Sequence, residues 1–169
     1  MSTANGFTIE RLDPKEVSKI EDLVEQMEWE LFRLLDVKGK EFPRSIRLDR
    51  PELIVFAAMR PGEAIGFAAF HPLVVNLGEP PKTCLIYALY VDRPHRRKGV
   101  AKALLRRGET YCWDNKIENL HLTVHELNRP ALNLYETIGF NPLSRNLGKK
   151  ATAAGPENSS RAGGNDAEL

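Results

Sequence analysis

Residues 96–105 read RRKGVAKALL: Arg96, Arg97 and Lys98 stand directly before Gly99, and a run of good helix formers follows. Val100, Leu104, Gly108 and Tyr111 share one helical face, with Ala101, Leu105 and Cys112 beside them, while Lys102, Arg106, Arg107, Glu109 and Asp114 lie mostly opposite. This spacing predicts an amphipathic helix from Gly99 to about Asn115, packed on a sheet. A helix N-terminus has unpaired N–H groups and the positive end of the dipole, so it ordinarily attracts Asp or Glu. Here Arg93, Arg96, Arg97 and Lys98 are placed against that preference. The simplest physical reason is a bound anion, phosphate or pyrophosphate, with Gly99 letting the backbone approach it and Ala101 keeping the next turn slim. The same run also fits a solvated basic surface. It is neither a GxxxxGK[ST] loop nor a GxGxxG fingerprint.

Working outward, Thr83 to Val91 reads as a long strand before this helix, Asn119 to His125 as a strand after it, and Pro130 to Ile138 as a further helix. That order implies a crossover and a local parallel pair. Ligands of open α/β sheets bind beyond the carboxyl ends of such strands. Upstream, Phe7 to Leu12 alternates like a half-buried strand, and Asp13-Pro14 starts a helix with Val17, Ile20, Leu23, Val24 and Met27 on one face. Trp29, Leu31, Phe32, Leu34 and Leu35 continue the apolar content into a second helix or a bent extension. Gly39 to Arg50 is a loop, and Leu53 to Met59 pairs as a hairpin with Ala64 to His71 around Arg60-Pro61-Gly62-Glu63. Phe140 to Lys149 has room for a last short strand. Residues 151–169 hold almost no large apolar side chains and are expected to be a disordered tail behind a single domain of residues 1–150.

The chain has 169 residues, with Lys+Arg 24 against Asp+Glu 23. That near-neutral balance argues against nucleic acid, which wants basic residues on several elements with interleaved aromatics. The N-terminal residues lack the apolar core of a signal peptide, and the longest apolar run, Leu53 to Met59, is far short of a membrane span. A cytoplasmic setting and no membrane partner are the expectation. Cys84 and Cys112 have no metal-ligand spacing and read as buried thiols, so no metal is expected.

A second signal runs from Asn128 to Phe140, NRPALNLYETIGF. Pro130 opens this short helix, Ala131, Leu134, Tyr135 and Ile138 form its inner face, and Gly139 closes it. Tyr135 is an apolar ring whose hydroxyl needs a partner when buried; it either packs and reaches water or has a chemical role.

Taken together, the two stretches resemble the GNAT superfamily of acyl-CoA-dependent N-acetyltransferases. That family's [Q/R]-x-x-G-x-[G/A] is met by Arg96, Gly99 and Ala101, its preceding leucine–x–valine by Leu89-Tyr90-Val91, and its later N-x-x-A-x-x-x-Y-x-x-x-G-F by Asn128, Ala131, Tyr135, Gly139 and Phe140. The likeness covers Leu85 to Phe140, and residues 7–71 fit the family's start loosely. It implies an α/β (α+β) fold: a mixed, mostly antiparallel central sheet with a parallel splayed strand pair, flanked by about four helices.

The resemblance also implies acetyl-CoA as co-substrate. Its pyrophosphate is expected at Arg96, Arg97, Lys98, Gly99, Val100, Ala101 and Lys102, and its pantetheine along Leu89, Tyr90 and Val91 in the gap between the splayed strands. Asn128 is expected to hold the arm from the other side. The Leu89 N–H would face the thioester oxygen, worth about 2.7–4 kcal/mol if it meets the developing oxyanion. Tyr135 would reach the arm and protonate the leaving sulfur, worth about 10²-fold. The acceptor would be a primary amine of a small molecule, peptide or protein, attacking directly in a ternary complex, and a homodimer is compatible with the family. Acceptor choice is expected from about Glu25 to Arg50.

One departure matters: many family members carry a glutamate base near the position of Tyr87, and Leu85-Ile86-Tyr87-Ala88 has no carboxylate. A lysine-like amine is neutral only about 1 part in 10³ at neutral pH, a cost of about 4–5 kcal/mol, so a proton acceptor is needed. Glu28, Glu30, His71, Tyr87, His125 and bulk water stay open for that role, Glu28 and Glu30 reading on their own as solvated helix residues. Transfer of a different acyl group and a non-catalytic acyl-CoA-binding regulatory module are the alternatives.

Overall fold

Alternating residues near the N-terminus form strand β1, Thr8–Leu12, in a computed structural model that describes residues 6–35, 46–74 and 82–144. Asp13 starts the next segment, its N–H donating to Glu16 Oε2 (3.1 Å). Pro14–Ile20 winds as a 3-10 turn and passes directly into one α-helix, α1, Glu21–Leu34. Of the two readings, a second helix or an extension of the first, the structure has the extension, and no separate second helix occurs among the described residues. The apolar residues assigned to it stay on α1, where Trp29 and Leu31 are exposed because Leu23 and Glu28 take the buried face.

The hairpin forms as expected from β2, Ile54–Arg60, and β3, Glu63–Leu73, with Arg60 opposite Glu63. Strand β4, Thr83–Val91, adds antiparallel to β3, and β5, Asn119–His121, adds parallel to β4, giving the sheet order β1-β2-β3-β4-β5. Between β4 and β5 the chain forms α2, Val100–Asp114, and after β5 it forms α3, Arg129–Thr137. Among the described residues there are three α-helices and two 3-10 turns, against the expected four or so helices. β5 ends at His121, not His125. Phe140 to Ser144 is not a strand, and the rest of the expected last strand, like residues 151–169, lies outside the described residues.

Two apolar layers sandwich the sheet. On one face Phe56, Phe70, Cys84, Ile86 and Val91 pack with Val100, Leu104, Leu105 and Cys112 of α2, and Leu134 and Tyr135 of α3 lean on this layer. On the other, Val55, Ala57, Phe67, Ala88 and Tyr90 meet Ile20 and Leu23. The β3–β4 register shifts between Ala69 and Phe70, leaving Tyr87 as an extra residue in β4. An odd extra residue inverts the alternation of faces. Hence Cys84 and Ile86 point to the α2 layer, but Ala88 and Tyr90 to the α1 layer.

Candidate active site

Strand β4 runs on to Val91, yet its pairing with β5 stops at Leu85 opposite His121. From Ile86 onward β4 has no partner on that side among the described residues, so a gap opens toward its carboxyl end. Leu89, Tyr90 and Val91 all lie along this parted stretch.

The same end leads into α2 through a 3-10 turn, Arg93–His95, and the basic run. Gly99 caps α2 at φ +82°, ψ 0°, with no side-chain hydrogen bond at the cap. Arg97 also has positive φ, +62°, which strains a side-chain-bearing residue. Lys98 thus lies between two left-handed residues, and backbone that alternates in hand is the kind that turns successive N–H groups toward an anion. Ala103 is the first helical donor to find a carbonyl, that of Gly99 at 3.0 Å, so the N–H groups of Val100, Ala101 and Lys102 have none within the helix. His95 Nδ1, buried in the adjoining turn, is likewise without a hydrogen-bond partner among the described residues. These features fit a phosphorylated ligand. The side chains of Arg97 and Lys98 are exposed.

Arg96 behaves differently from its neighbours. Its Nε donates to the Val91 carbonyl (2.8 Å), and its Nη2 donates to both oxygens of Glu30 on α1 (2.9 and 2.8 Å). Its guanidinium also lies over the Tyr90 ring, 5.2 Å from the centroid. Arg93 Nε (2.8 Å) and the Tyr90 hydroxyl (3.0 Å) donate to the same carboxylate. Burial works to raise the Glu30 carboxyl, but hydrogen bonds from Arg96, Arg93 and Tyr90 outweigh it and hold it below the usual carboxylate range. Burial, then Glu30, pushes the Tyr90 phenol up to about 12. This network ties α1, the end of β4 and the basic loop together, and a cavity of about 380 Å³ opens beside it, lined by Gln26, Trp29, Glu30, Arg33, Tyr90 and Arg93. Reading the sequence one element at a time misses it, because Arg96 and Glu30 are 66 positions apart.

The second motif lies on the other side of the gap. Asn128 caps α3, its Oδ1 accepting from the Ala131 N–H (3.3 Å). Tyr135 packs edge-on against Phe140 at 5.6 Å between centroids, and desolvation pushes its phenol up to about 12. It is therefore a neutral O–H donor at ordinary pH. Lys102, Leu105 and Arg106 of α2 face Thr137, Ile138 and Gly139 across a cavity of about 390 Å³.

The candidate proton acceptors separate clearly. Glu28, expected on the surface, is 2% exposed and accepts from the Ile46 N–H (2.9 Å). Glu30, also expected to be solvated, is committed to Arg93, Arg96 and Tyr90. His125 is exposed, and its Nδ1 accepts from the Leu127 N–H (3.2 Å). His71 and Tyr87 stay near the point where β4 and β5 part. Cys84 and Cys112 are both buried, and the neighbouring Cys112 thiol together with burial pushes Cys84 well up, which leaves it no nucleophilic character. Among the described residues no group of three or more His, Cys, Asp or Glu is placed to hold a metal ion, and no helix is long and apolar enough to cross a membrane.

A mixed sheet parted next to an uncapped helix N-terminus is the architecture of an acyl-transferring enzyme. Residues 20–140 match the acetyltransferase (GNAT) family, and the chain belongs to that family as an N-acetyltransferase. It is 30% identical over 105 residues to the uncharacterized N-acetyltransferase YhfO of Bacillus subtilis, covering 62% of this chain and 70% of that protein. It is 29% identical over 96 residues to the L-amino acid N-acetyltransferase AaaT of Escherichia coli, covering 54% of this chain and 56% of that one. Its fold superposes with a TM-score of 0.68 on an aminoglycoside acetyltransferase from an uncultured soil metagenomic sample, 20% identical, over 90% of this chain and 100% of that chain.

Proposed function

We propose that this protein transfers an acetyl group from acetyl-CoA to a primary amine by direct attack in a ternary complex. The observation that carries this reading is a coincidence of place: β4 loses its parallel partner after Leu85, and the unpaired amides before Ala103 lie past the same strand's carboxyl end. A diphosphate needs the second feature, and an extended amide-bearing arm needs the first.

Acetyl-CoA, when bound, supplies the activated thioester carbonyl. The backbone N–H groups of Arg97, Gly99, Val100, Ala101 and Lys102 hold its diphosphate, with Arg96 and Lys98 completing the loop. Leu89, Tyr90 and Val91 line the arm along the free edge of β4, and Asn128 and Tyr135 approach it from α3. The Leu89 N–H donates to the carbonyl oxygen as negative charge builds there. The Tyr135 hydroxyl, kept protonated by its burial, gives its proton to the departing sulfur. The relatives named for amino acid and aminoglycoside acetylation point to small-molecule amines, and peptide or protein amines use the same chemistry.

The test is a melting experiment with acetyl-CoA. At about 100 times Kd a ligand adds about 2.7 kcal/mol, which at 2–4 °C per kcal/mol raises Tm by roughly 5–10 °C. Gly99→Glu, which places a side chain and a negative charge at a left-handed position in the cradle, is expected to abolish that rise. An unshifted wild-type melt would remove the acyl-CoA reading altogether. Thiol release across a panel of amines, polyamines, amino acids and peptide N-termini then identifies the acceptor.

A further inference from the structure

Where β4 and β5 separate, the sheet gathers side chains that the diphosphate end does not use. Tyr87, the extra residue of β4, follows the last β4–β5 pair by two positions and is 36% exposed. His71 on β3 pairs with Leu85, the residue at which the parting begins. Its neighbour Phe70 faces the α2 layer, so alternation turns His71 to the α1 face. Ile54 pairs with Phe70, and the segment just before it therefore carries Glu52 and Arg50 to the same corner. Arg50 Nε donates to Glu52 Oε1 (2.6 Å), and the Arg50 guanidinium also meets the Tyr87 hydroxyl. A hydrogen bond from its own N–H, then Arg50, then the charge of His71 act on the Glu52 carboxylate and hold it below the usual range.

The titratable and charged groups that the register gathers at this corner are Glu52 and Arg50 from the segment before β2, Tyr87 from β4, and His121 across Leu85 on β5, with Glu52 near enough to feel the charge of His71. On α1, which covers this face, Glu28 is turned to the Ile46 N–H and Glu30 to the arginines. Histidine is the side chain whose ordinary titration lies near neutrality, and a carboxylate behind it fixes its ring.

We propose that His71, with Glu52 as its positioning residue, accepts the proton that a protonated acceptor amine must give up before it attacks the thioester. This inference rests on the acetyl-transfer reading above and supplies the base that β4 lacks. The ammonium passes one proton to His71, which releases it to solvent. The neutral nitrogen then forms the new C–N bond as the C–S bond breaks, the thiolate takes its proton from Tyr135, and the nitrogen's second proton leaves to solvent while Tyr135 regains one.

The experiment compares two amines with the full chain and acetyl-CoA: benzylamine, mostly protonated at neutral pH, and trifluoroethylamine, mostly neutral. His71→Gln is expected to lower kcat/KM about 10²-fold with benzylamine and less than about 3-fold with trifluoroethylamine, and to move the acid limb of the benzylamine pH–rate profile up to the amine's own ionisation. Glu52→Gln is expected to cost about 10-fold with benzylamine and to displace that limb. Equal losses with both amines, or an acid limb that keeps its position in His71→Gln, would overturn the proposal. Calorimetric titration with acetyl-CoA keeps the two readings apart. Binding retained in the variants shows that they are folded and leaves the kinetics to judge His71 alone, whereas absence of binding to the wild type removes the donor reading and this inference with it. His71→Asn, measured alongside, gives the same amine selectivity if proton transfer is what was lost.

Discussion

Gly108→Ala sets two known effects against each other, and the geometry decides between them. Gly108 lies in the middle of α2, where alanine is intrinsically favoured by about 1 kcal/mol. A Cβ added there would sit 2.0 Å from Phe70 Cζ and 2.3 Å from its Cε1, far inside the roughly 3.5–4.0 Å of a comfortable carbon contact. Phe70 is fully buried and packs edge-on against Phe56 at 6.0 Å, so the ring has no free volume to swing into. Overpacking of this kind costs about 1–3 kcal/mol, and the closeness of the contact puts it at the upper end. The net loss is about 2 kcal/mol, or roughly 4–8 °C in Tm for a chain of this size. Scanning calorimetry and urea unfolding measure it directly. Phe70→Leu makes room, so the double variant is expected to be more stable than the sum of the single losses by at least about 1 kcal/mol. A Gly108→Ala protein that melts at or above the wild type would show that α2 is not pinned to β3 by this contact.

Tyr135→Phe removes the hydroxyl proposed to donate the proton but keeps the ring against Phe140, so kcat is expected to fall about 10²-fold with acetyl-CoA affinity nearly unchanged; undiminished turnover would clear Tyr135 of an acid role. The Glu30 carboxyl is depressed in the folded state, so the stability it contributes is present above its unfolded value and disappears as pH falls through its folded one. Glu30→Gln is therefore expected to melt below the wild type at about pH 7, with the gap closing as pH falls below the ordinary carboxylate range; a gap of constant size would mean that the arginines do not depend on its charge.

Much of this architecture was legible in the sequence because its signals are local. The run RRKG before a helical pattern located α2 and its uncapped N-terminus, Pro130 and Gly139 bracketed α3, and the turn at Pro61-Gly62 set the hairpin. The misreadings have physical causes. Asn119 to His125 carries β-type alternation throughout, but a strand persists only while it has a partner, and here pairing ends at His121. Trp29 and Leu31, read as the apolar content of a second helix or a bent extension, are exposed on α1, which buries Leu23 and Glu28 instead. Glu28 and Glu30 looked like surface for the same reason seen from the other side: what makes a carboxylate internal is a donor from elsewhere in the fold. Their donors, the Ile46 N–H and Arg96, are 18 and 66 positions away. The Arg50–Glu52 pair carries no signal of its own in the sequence, and only the folded register brings it to Tyr87.

The basic run itself divides by orientation, and that division answers why it is there. Arg93 and Arg96 turn inward onto one carboxylate of α1, where they serve as a clasp on the end of β4. Arg97 and Lys98 are left outward beside an N-terminus that ordinarily repels them, on a backbone held left-handed at a residue with a side chain. The terms that oppose such a loop add up: about 1–2 kcal/mol for the strain at Arg97, a few tenths for glycine in place of a capping side chain, and a few tenths to 1 for each cation against the dipole. Roughly 3 kcal/mol of unfavourable terms in four residues matches the stabilisation that a ligand at about 100 times Kd returns. Holding the clasp on the protein's own carboxylate while leaving the cradle unsatisfied makes sense when the missing charge arrives with the substrate.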